Sequence, residues 1–154
     1  MIDFSALLQP KTVIAGVPAA NKKALLTQLA SQLAQAHGLA PKEAAASLLD
    51  REKIGSTGFG GGIAIPHGKL EGLGRIVGLF ARLSQPIDFQ AIDELPVDLV
   101  FVMLSPPQAG AEHLKALARV SRRLRDQAFV AKLRGAGSPD ALYALWTEDG
   151  RELD

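Results

Sequence analysis

Two nearly continuous apolar runs of strand length limit the folds that are open to this sequence. Residues 76–83 and 97–104 are rich in Val, Ile, Leu and Phe. A strand that faces water on one side alternates apolar and polar residues, so continuous runs favour central strands that are covered on both faces. The segments 12–17 and 63–65 are weaker strand candidates.

Segments with helical signals separate these strands. Asn21 and Ser138 are residue types that cap a helix N-terminus, and Pro41 suits a first turn. The expected helices cover residues 21–36, 41–52, 111–126 and 138–146. Helices that alternate with buried strands predict a layered α/β domain rather than a bundle or a sandwich.

The length and composition are those of one compact domain. The chain has 154 residues, 47% of them hydrophobic, which suffices for one good core and is too short for two ordinary domains. We therefore expect residues 1–154 to form a single domain, with residues 147–154 as a loose polar tail. There is no cysteine, which excludes thiol catalysis, disulfides and thiolate metal sites and is compatible with a reducing compartment.

Charge and hydropathy narrow the range of partners. With 17 basic and 16 acidic residues the formal net charge is +1, so no bulk field recruits nucleic acid or an anionic membrane. No apolar run approaches the roughly 18 residues that span a bilayer, and the N-terminus lacks the pattern of a secretory signal. The sequence predicts a cytoplasmic protein that binds no nucleic acid and does not insert into a membrane.

A glycine-rich stretch, residues 55–69, contains a histidine at the end of a short apolar run. Glycine backbone can approach a tetrahedral anion closely and point N–H groups at it, while Pro66 stiffens the chain before the ring. We interpret His67 as a phosphate carrier. On the residues alone, it could instead pack at a strand end behind glycine turns. Two nucleotide-binding motifs are excluded by their spacing. The phosphate-binding loop for nucleoside triphosphates needs Ser or Thr where Leu70 stands, and the dinucleotide fingerprint needs Gly where Ile63 stands.

A second histidine, His113, falls in the first turn of the helix predicted at 111–126. A strand, a loop and a helix N-terminus in succession form a common anion site, so His113 could hold a phosphoryl group. The alternative is a partly buried histidine that completes the helix surface. The helical spacing predicts an apolar stripe that faces the core. His113 falls on the border of this stripe, and three arginines fall outside it. The predicted stripe is Leu114, Leu117, Ala118, Ser121 and Leu124, and the arginines are Arg119, Arg122 and Arg123.

A phosphate carrier needs a neutral imidazole, a second donor for the transferring oxygens and a cation that offsets their charge. His67 meets the first need near pH 7, because the ordinary pKa of histidine is about 6.5. His113 could supply the second donor. Arg51 precedes the glycine-rich stretch and is the candidate cation, although such charges usually lie on a solvated face, and Thr57 could add a hydroxyl contact.

Five ordered segments carry a family resemblance that covers essentially the whole chain, from about Phe4 to Trp146. They are residues 48–52, 55–58, 62–69, 96–101 and 112–117. In these segments the sequence resembles the enzyme IIA proteins and domains of the bacterial phosphoenolpyruvate-dependent phosphotransferase system, in the fructose and mannitol class. Residues 66–73 and the short free-standing chain look most like its nitrogen-regulatory branch, which signals through phosphorylation state instead of feeding a transporter.

The resemblance implies a fold, a donor and a set of site residues. The fold is a mixed β-sheet flanked by helices. His67 would accept a phosphoryl group, on the ring nitrogen distal to the backbone, from a histidine phosphocarrier protein. His113, Arg51 and Thr57 would support that site, and no metal or organic cofactor is implied. The expected output is phosphorylation-dependent binding of regulatory target proteins.

Two other functions stay open on the sequence. The chain could be a sugar-specific enzyme IIA that passes phosphate to a cysteine of a transporter IIB subunit. It could also be a non-catalytic protein-binding module with a vestigial histidine site. Onward transfer to a sugar-specific partner would favour the first function, and binding that ignores phosphorylation state would favour the second.

Overall fold

The computed structural model describes residues 3–148, which contain a six-stranded mixed β-sheet. The strands are β1 (Val13–Val17), β2 (Gly58–Gly60), β3 (Ile63–Ala64), β4 (His67–Lys69), β5 (Val77–Ile87) and β6 (Val97–Ser105). Their order is β1-β5-β6-β3-β2, and β4 also pairs with β6. β5 and β6 are antiparallel, β1 is parallel to β5, and β3 and β4 are parallel to β6. The two apolar runs are therefore neighbouring strands inside the sheet, as predicted.

Helices cover both faces of this sheet. Within residues 3–148 they are α1 (Phe4–Leu7), α2 (Lys22–His37), α3 (Pro41–Ile54), α4 (Ala111–Leu124), α5 (Gln127–Gly135) and α6 (Pro139–Glu148). α2 and α3 pack on the face that carries Leu79 and Val100, and the other four pack on the face that carries Phe80 and Phe101. The predicted fold class, a layered α/β structure with helices on both faces of a mixed sheet, is confirmed. No helix in the described part of the chain is long and apolar enough to cross a membrane.

Local capping decides where several helices begin and end. The Asn21 side chain caps α2 as predicted, accepting a hydrogen bond of 2.8 Å from the N–H three residues on. The helix that was expected to reach Asp126 instead ends at Leu124. Asp126 caps a further helix, α5, by accepting from the N–H groups of Ala128 and Phe129. The sequence pattern had indicated neither α5 nor the short α1.

The first two residues of the predicted tail belong to a helix. Thr147 and Glu148 are the last residues of α6, and the Thr147 hydroxyl donates to the carbonyl of Tyr143 at 2.8 Å. A threonine side chain that bonds back to the preceding turn belongs to the helix rather than to a loose segment. The rest of the predicted tail, residues 149–154, lies outside the described residues.

The buried face of α4 is rotated relative to the prediction. Its buried residues are His113, Ala116, Val120, Arg123 and Leu124. Leu114, predicted as core, is 66% exposed. Arg123, predicted to lie away from the core, is buried with its guanidinium carbon 3.8 Å from the centroid of the Phe129 ring. The rotation places His113 on the side of α4 that packs against the rest of the protein.

Two short strands form an interrupted edge beside β6. β3 pairs near Leu99, and β4 pairs from Met103 to Ser105. Between them, the carbonyl of Pro66 accepts a hydrogen bond of 3.0 Å from the Met103 N–H. Since Pro66 itself has no N–H, the chain can leave the regular ladder there and resume pairing at His67.

Gly68 allows α3 to lie directly on β4. The Ser47 hydroxyl of α3 donates to the carbonyl of Lys69 at 2.7 Å. A methyl group on Gly68 would overlap the Ser47 Oγ and come within 3.3 Å of the Ser47 backbone. The glycine therefore sets how closely α3 can approach the strand that carries His67.

We expect Gly68→Ala to lower the free energy of unfolding by about 1–3 kcal/mol, because α3 must move away from β4 to admit the methyl group. Urea unfolding followed by circular dichroism measures this change. Gly74→Ala is the matched control, because a methyl group there meets no atom within 4 Å. Its effect should stay below about 1 kcal/mol. Equal stability of Gly68→Ala and wild type would contradict the close contact of α3 with β4.

Candidate functional site

The structure brings His67 and His113 together at the carboxyl end of β6. Their ring centroids are 5.7 Å apart. His67 begins β4, while His113 lies in the first turn of α4 and is 7% exposed. Together with Arg51 they border a surface depression of about 730 Å³. Three of the four predicted site residues thus share one concave surface.

A backbone carbonyl fixes the proton of His67. The Nδ1 atom lies 2.8 Å from the carbonyl oxygen of Ile65. A carbonyl oxygen only accepts hydrogen bonds, so Nδ1 is the nitrogen that carries the proton. The neutral ring then has its lone pair on Nε2, the nitrogen distal to the backbone. Nε2 is therefore the nitrogen with a lone pair available for nucleophilic attack.

The surroundings of His67 favour this neutral form. Burial lowers the pKa of His67, and the nearby positive charge of Arg51 lowers it further. The hydrogen bond to Ile65 and the charge of Glu52 act in the opposite direction, but the pKa stays below its ordinary value of 6.5. At pH 7 most molecules therefore have the lone pair that a nucleophile requires.

A buried serine contacts His113 from the interior side. The His113 Nδ1 lies 2.6 Å from the Oγ of Ser105, which is the last residue of β6 and fully buried. Burial lowers the pKa of His113, as do the charges of His67 and Lys69. The sequence reasoning left Ser105 in a loop with no role. The available signal was a hydroxyl at the carboxyl end of a buried strand, shortly before a histidine.

Arg51 lies in the last turn of α3. Its side chain borders the depression of about 730 Å³ and a second one of about 540 Å³, and His67 borders both. The Arg51 Nη1 donates to the carbonyl of Gly55 at 2.8 Å. A guanidinium has five N–H donors, so this bond leaves others for an anion. The sequence-based choice of Arg51 as the cation near His67 fits this placement.

Thr57 has a different partner from the one expected. Its hydroxyl donates to Oε1 of Glu52 at 2.6 Å, and its N–H donates to Oε2 at 2.9 Å. Glu52 is 8% exposed and also pairs with the Lys22 ammonium at 3.2 Å. A hydroxyl has one proton to give, and Thr57 directs it to Glu52 rather than into the depression. Glu52 and Lys22, which sequence reasoning did not select, thereby tie the loop after α3 to the helix layer.

The three consecutive glycines do not border the depressions beside His67, whereas Gly68 of the same glycine-rich stretch borders the one of about 730 Å³. Gly60, Gly61 and Gly62 link β2 to β3 with φ angles of 110°, 69° and 82°. The Gly61 N–H donates to Asp93 at 2.9 Å, and its carbonyl accepts from Arg134 at 2.8 Å. Glycine is needed here because L residues with side chains rarely adopt these angles.

No group suited to a metal ion accompanies this site. Within residues 3–148, no three His, Asp or Glu side chains are grouped so that they could hold a metal. What the depression offers is one nucleophilic ring nitrogen, a second imidazole and a guanidinium. This set can accept an electrophilic anion and provide hydrogen bonds to its oxygens.

Comparisons with known proteins show the family to which the chain belongs. Residues 6–148 match the family described as "Phosphoenolpyruvate-dependent sugar phosphotransferase system, EIIA 2". A nitrogen regulatory protein of Bradyrhizobium diazoefficiens is 48% identical over 144 residues, which cover 94% of each chain. A fructose-specific EIIA component of Haloferax volcanii is 32% identical, over 95% of this chain and 96% of its own.

A solved structure gives the same result at the level of the fold. The nitrogen regulatory protein IIA-Ntr of Neisseria meningitidis superposes with a TM-score of 0.88 at 30% identity, covering 94% of this chain and 99% of its own. The chain belongs to the EIIA 2 family of the phosphoenolpyruvate-dependent sugar phosphotransferase system. Within that family it groups with the nitrogen-regulatory branch, as the sequence resemblance had indicated.

We expect Arg51→Gln to raise the pKa of His67, because it removes a positive charge that disfavours the imidazolium. NMR titration of the histidine Hε1 signals measures the pKa in each variant. Lys53→Gln is the control: Lys53 is also in the last turn of α3, but it pairs with the exposed Asp50. A His67 pKa that is unchanged in Arg51→Gln, or that moves equally in Lys53→Gln, would contradict the placement of Arg51.

The same pKa shifts have a consequence for stability. In the unfolded chain a histidine has its ordinary pKa of about 6.5, whereas the pKa values of His67 and His113 in the folded protein are lower. The unfolded state therefore binds more protons in acid. The contribution of the two histidines to the free energy of unfolding is therefore fully present above pH 6.5, and it is lost as the pH falls through the folded-state pKa values.

Proposed function

We propose that this chain is a phosphoryl carrier with a regulatory output. His67 would accept the phosphoryl group from the phosphohistidine of a histidine phosphocarrier protein, and target proteins would bind according to its phosphorylation state. One observation carries the proposal: the bond from Nδ1 of His67 to the Ile65 carbonyl leaves Nε2 as the lone-pair nitrogen, beside His113 and Arg51.

The proposed step is an in-line displacement at phosphorus. The lone pair on Nε2 of His67 forms the new N–P bond while the N–P bond of the donor breaks. The electron pair of the broken bond stays on the donor's ring nitrogen, so charge and atoms balance without a proton transfer. Positioning and stabilisation of the oxygens supply most of the catalysis in such a step.

The hydrogen bond from His67 to the Ile65 carbonyl also suits the phosphorylated form of the ring. With phosphorus on Nε2 and hydrogen on Nδ1, the ring carries a positive charge that it shares with the N–H. The hydrogen bond of 2.8 Å to the carbonyl then becomes charge-assisted and stronger. His67 would thus keep one ring orientation before and after transfer.

The supporting residues have separate proposed roles. His113 would donate a hydrogen bond to a phosphoryl oxygen, and Arg51 would offset the negative charge from the rim of both depressions. Thr57 would act through the loop that it holds with Glu52 rather than as a direct donor.

Identity with relatives favours the regulatory role over sugar transport. The identity is 48% to a nitrogen regulatory protein and 32% to a fructose-specific component, over similar lengths. In the sugar-specific alternative, the phosphorylated chain would label a transporter IIB subunit. Incubation of the phosphorylated protein with IIB proteins decides this point, since rapid onward transfer would contradict the regulatory proposal.

The test of the carrier function is phosphorylation by phosphoenolpyruvate and the upstream carriers. Wild type should gain an acid-labile phosphoryl adduct, and His67→Ala should gain none, because the nucleophile is lost. His113→Ala should slow the labelling by roughly 10²–10³, the effect typical of losing one donor to a developing anion. Quench-flow labelling followed by phosphate-affinity electrophoresis measures each rate.

His37 provides the matched control for this experiment. It is the C-terminal residue of α2 and borders neither depression beside His67. His37→Ala should therefore be labelled at the wild-type rate. A labelled His67→Ala protein would show that another residue takes the phosphate. A wild type that stays unlabelled while its carriers remain active would favour the non-catalytic binding module.

A further inference from the structure

The contact between Ser105 and His113 has a direction that can be worked out from its surroundings. Ser105 has no exposed surface, and its Oγ lies 2.6 Å from Nδ1 of His113. Its carbonyl accepts from the N–H of Leu70 at 2.9 Å, and its backbone pairs with Lys69 across β4 and β6. The serine is therefore held rigidly by both strands, and its hydroxyl faces the ring.

Two proton arrangements would give the same distance. In the first, Nδ1–H donates to Oγ; the serine proton then needs an acceptor of its own. In the part of the chain that the structure describes, Nδ1 of His113 is the hydrogen-bond partner found for this hydroxyl. The first arrangement would leave a buried O–H without an acceptor, which proteins avoid. In the second, Ser105 donates to Nδ1, so the buried hydroxyl and the ring nitrogen beside it both have a partner.

We propose that Ser105 is a positioning residue, whose hydroxyl holds neutral His113 in the tautomer with its proton on Nε2. Nε2 is the ring nitrogen that does not contact the serine, and its proton would be the donor to the phosphoryl group on His67. This inference rests on the proposed carrier function for its catalytic consequence, but not for the tautomer itself.

The two site histidines then have complementary protonation. At His67 the partner is a carbonyl, which can only accept, so the proton lies on Nδ1. At His113 the partner is a hydroxyl that donates, so the proton lies on Nε2. One ring presents a lone pair to phosphorus, and the other presents an N–H to its oxygens.

The tautomer can be measured directly in the unmodified protein. Long-range ¹H–¹⁵N NMR at pH 8, above both histidine pKa values, distinguishes protonated from unprotonated ring nitrogens. We expect His113 to carry hydrogen on Nε2 and His67 on Nδ1. Hydrogen on Nδ1 of His113 would overturn the proposal, and this result requires no variant to fold.

Ser105→Ala tests the role of the hydroxyl. We expect the ¹⁵N signals of His113 to shift toward a mixture of tautomers and the labelling of His67 to slow about tenfold, which is typical when the partner that orients a functional histidine is removed. Thr12→Val is the control, because it also removes a fully buried hydroxyl, in the turn before β1. Its His113 signals and labelling rate should match wild type.

A double-mutant cycle separates positioning from a general structural effect. In His113→Gln, the amide N–H reaches toward the former position of Nε2 but offers no ring nitrogen to Ser105. Adding Ser105→Ala in that background should change the labelling rate less than twofold, because the group through which Ser105 acts is gone. The same loss in both backgrounds, or an unchanged His113 spectrum in Ser105→Ala, would overturn the proposal. Failure of wild type to label would instead reject the carrier function, while the tautomer measurement would still decide the role of Ser105.

Discussion

The parallel pairing of β4 with the end of β6 is the constraint on which the site depends. It sets His67 opposite Met103 and Lys69 opposite Ser105. The chain leaves β6 at Ser105 and returns in α4, whose first turn carries His113 back to that same strand end. Two histidines that are 46 positions apart in sequence thereby meet with ring centroids 5.7 Å apart.

The same pairing determines where the positive charge lies. Gly68 has no side chain, so α3 packs directly on β4, and the end of α3 brings Arg51 beside His67. Glu52, next in sequence, is buried and holds the following loop through Thr57 and Lys22. One helix end therefore provides both the cation at the surface and the carboxylate that fixes the loop beneath it.

The chemistry of the site follows from hydrogen-bond partners that are not reactive themselves. An imidazole is both donor and acceptor, and its neighbours decide which nitrogen does which. A carbonyl lies beside Nδ1 of His67 and a hydroxyl lies beside Nδ1 of His113, and under our proposal this difference gives the two rings different tasks. Burial lowers the pKa of both rings, which keeps each one neutral near pH 7. Only the neutral ring has one protonated and one unprotonated nitrogen, so only then does the tautomer matter.

Much of the fold and the choice of candidate site residues could be predicted from the sequence, because both rest on local signals. These are the strand and helix patterns and the segments around His67, His113 and Arg51. The errors concern contacts between distant segments. Hydrophobic periodicity placed Leu114 in the core, since it could not show that a polar His113 and a buried Arg123 would find partners there. It likewise could not show that the Thr57 hydroxyl would be taken by Glu52.

The position of phosphorus on the ring of His67 is the decisive measurement for this site. Long-range ¹H–¹⁵N NMR of the ¹⁵N-labelled, phosphorylated protein distinguishes the two ring nitrogens, because they couple differently to the ring protons. We expect phosphorus on Nε2 of His67, with hydrogen retained on Nδ1. Phosphorus on Nδ1 of His67, or on the ring of His37 or His113, would contradict it.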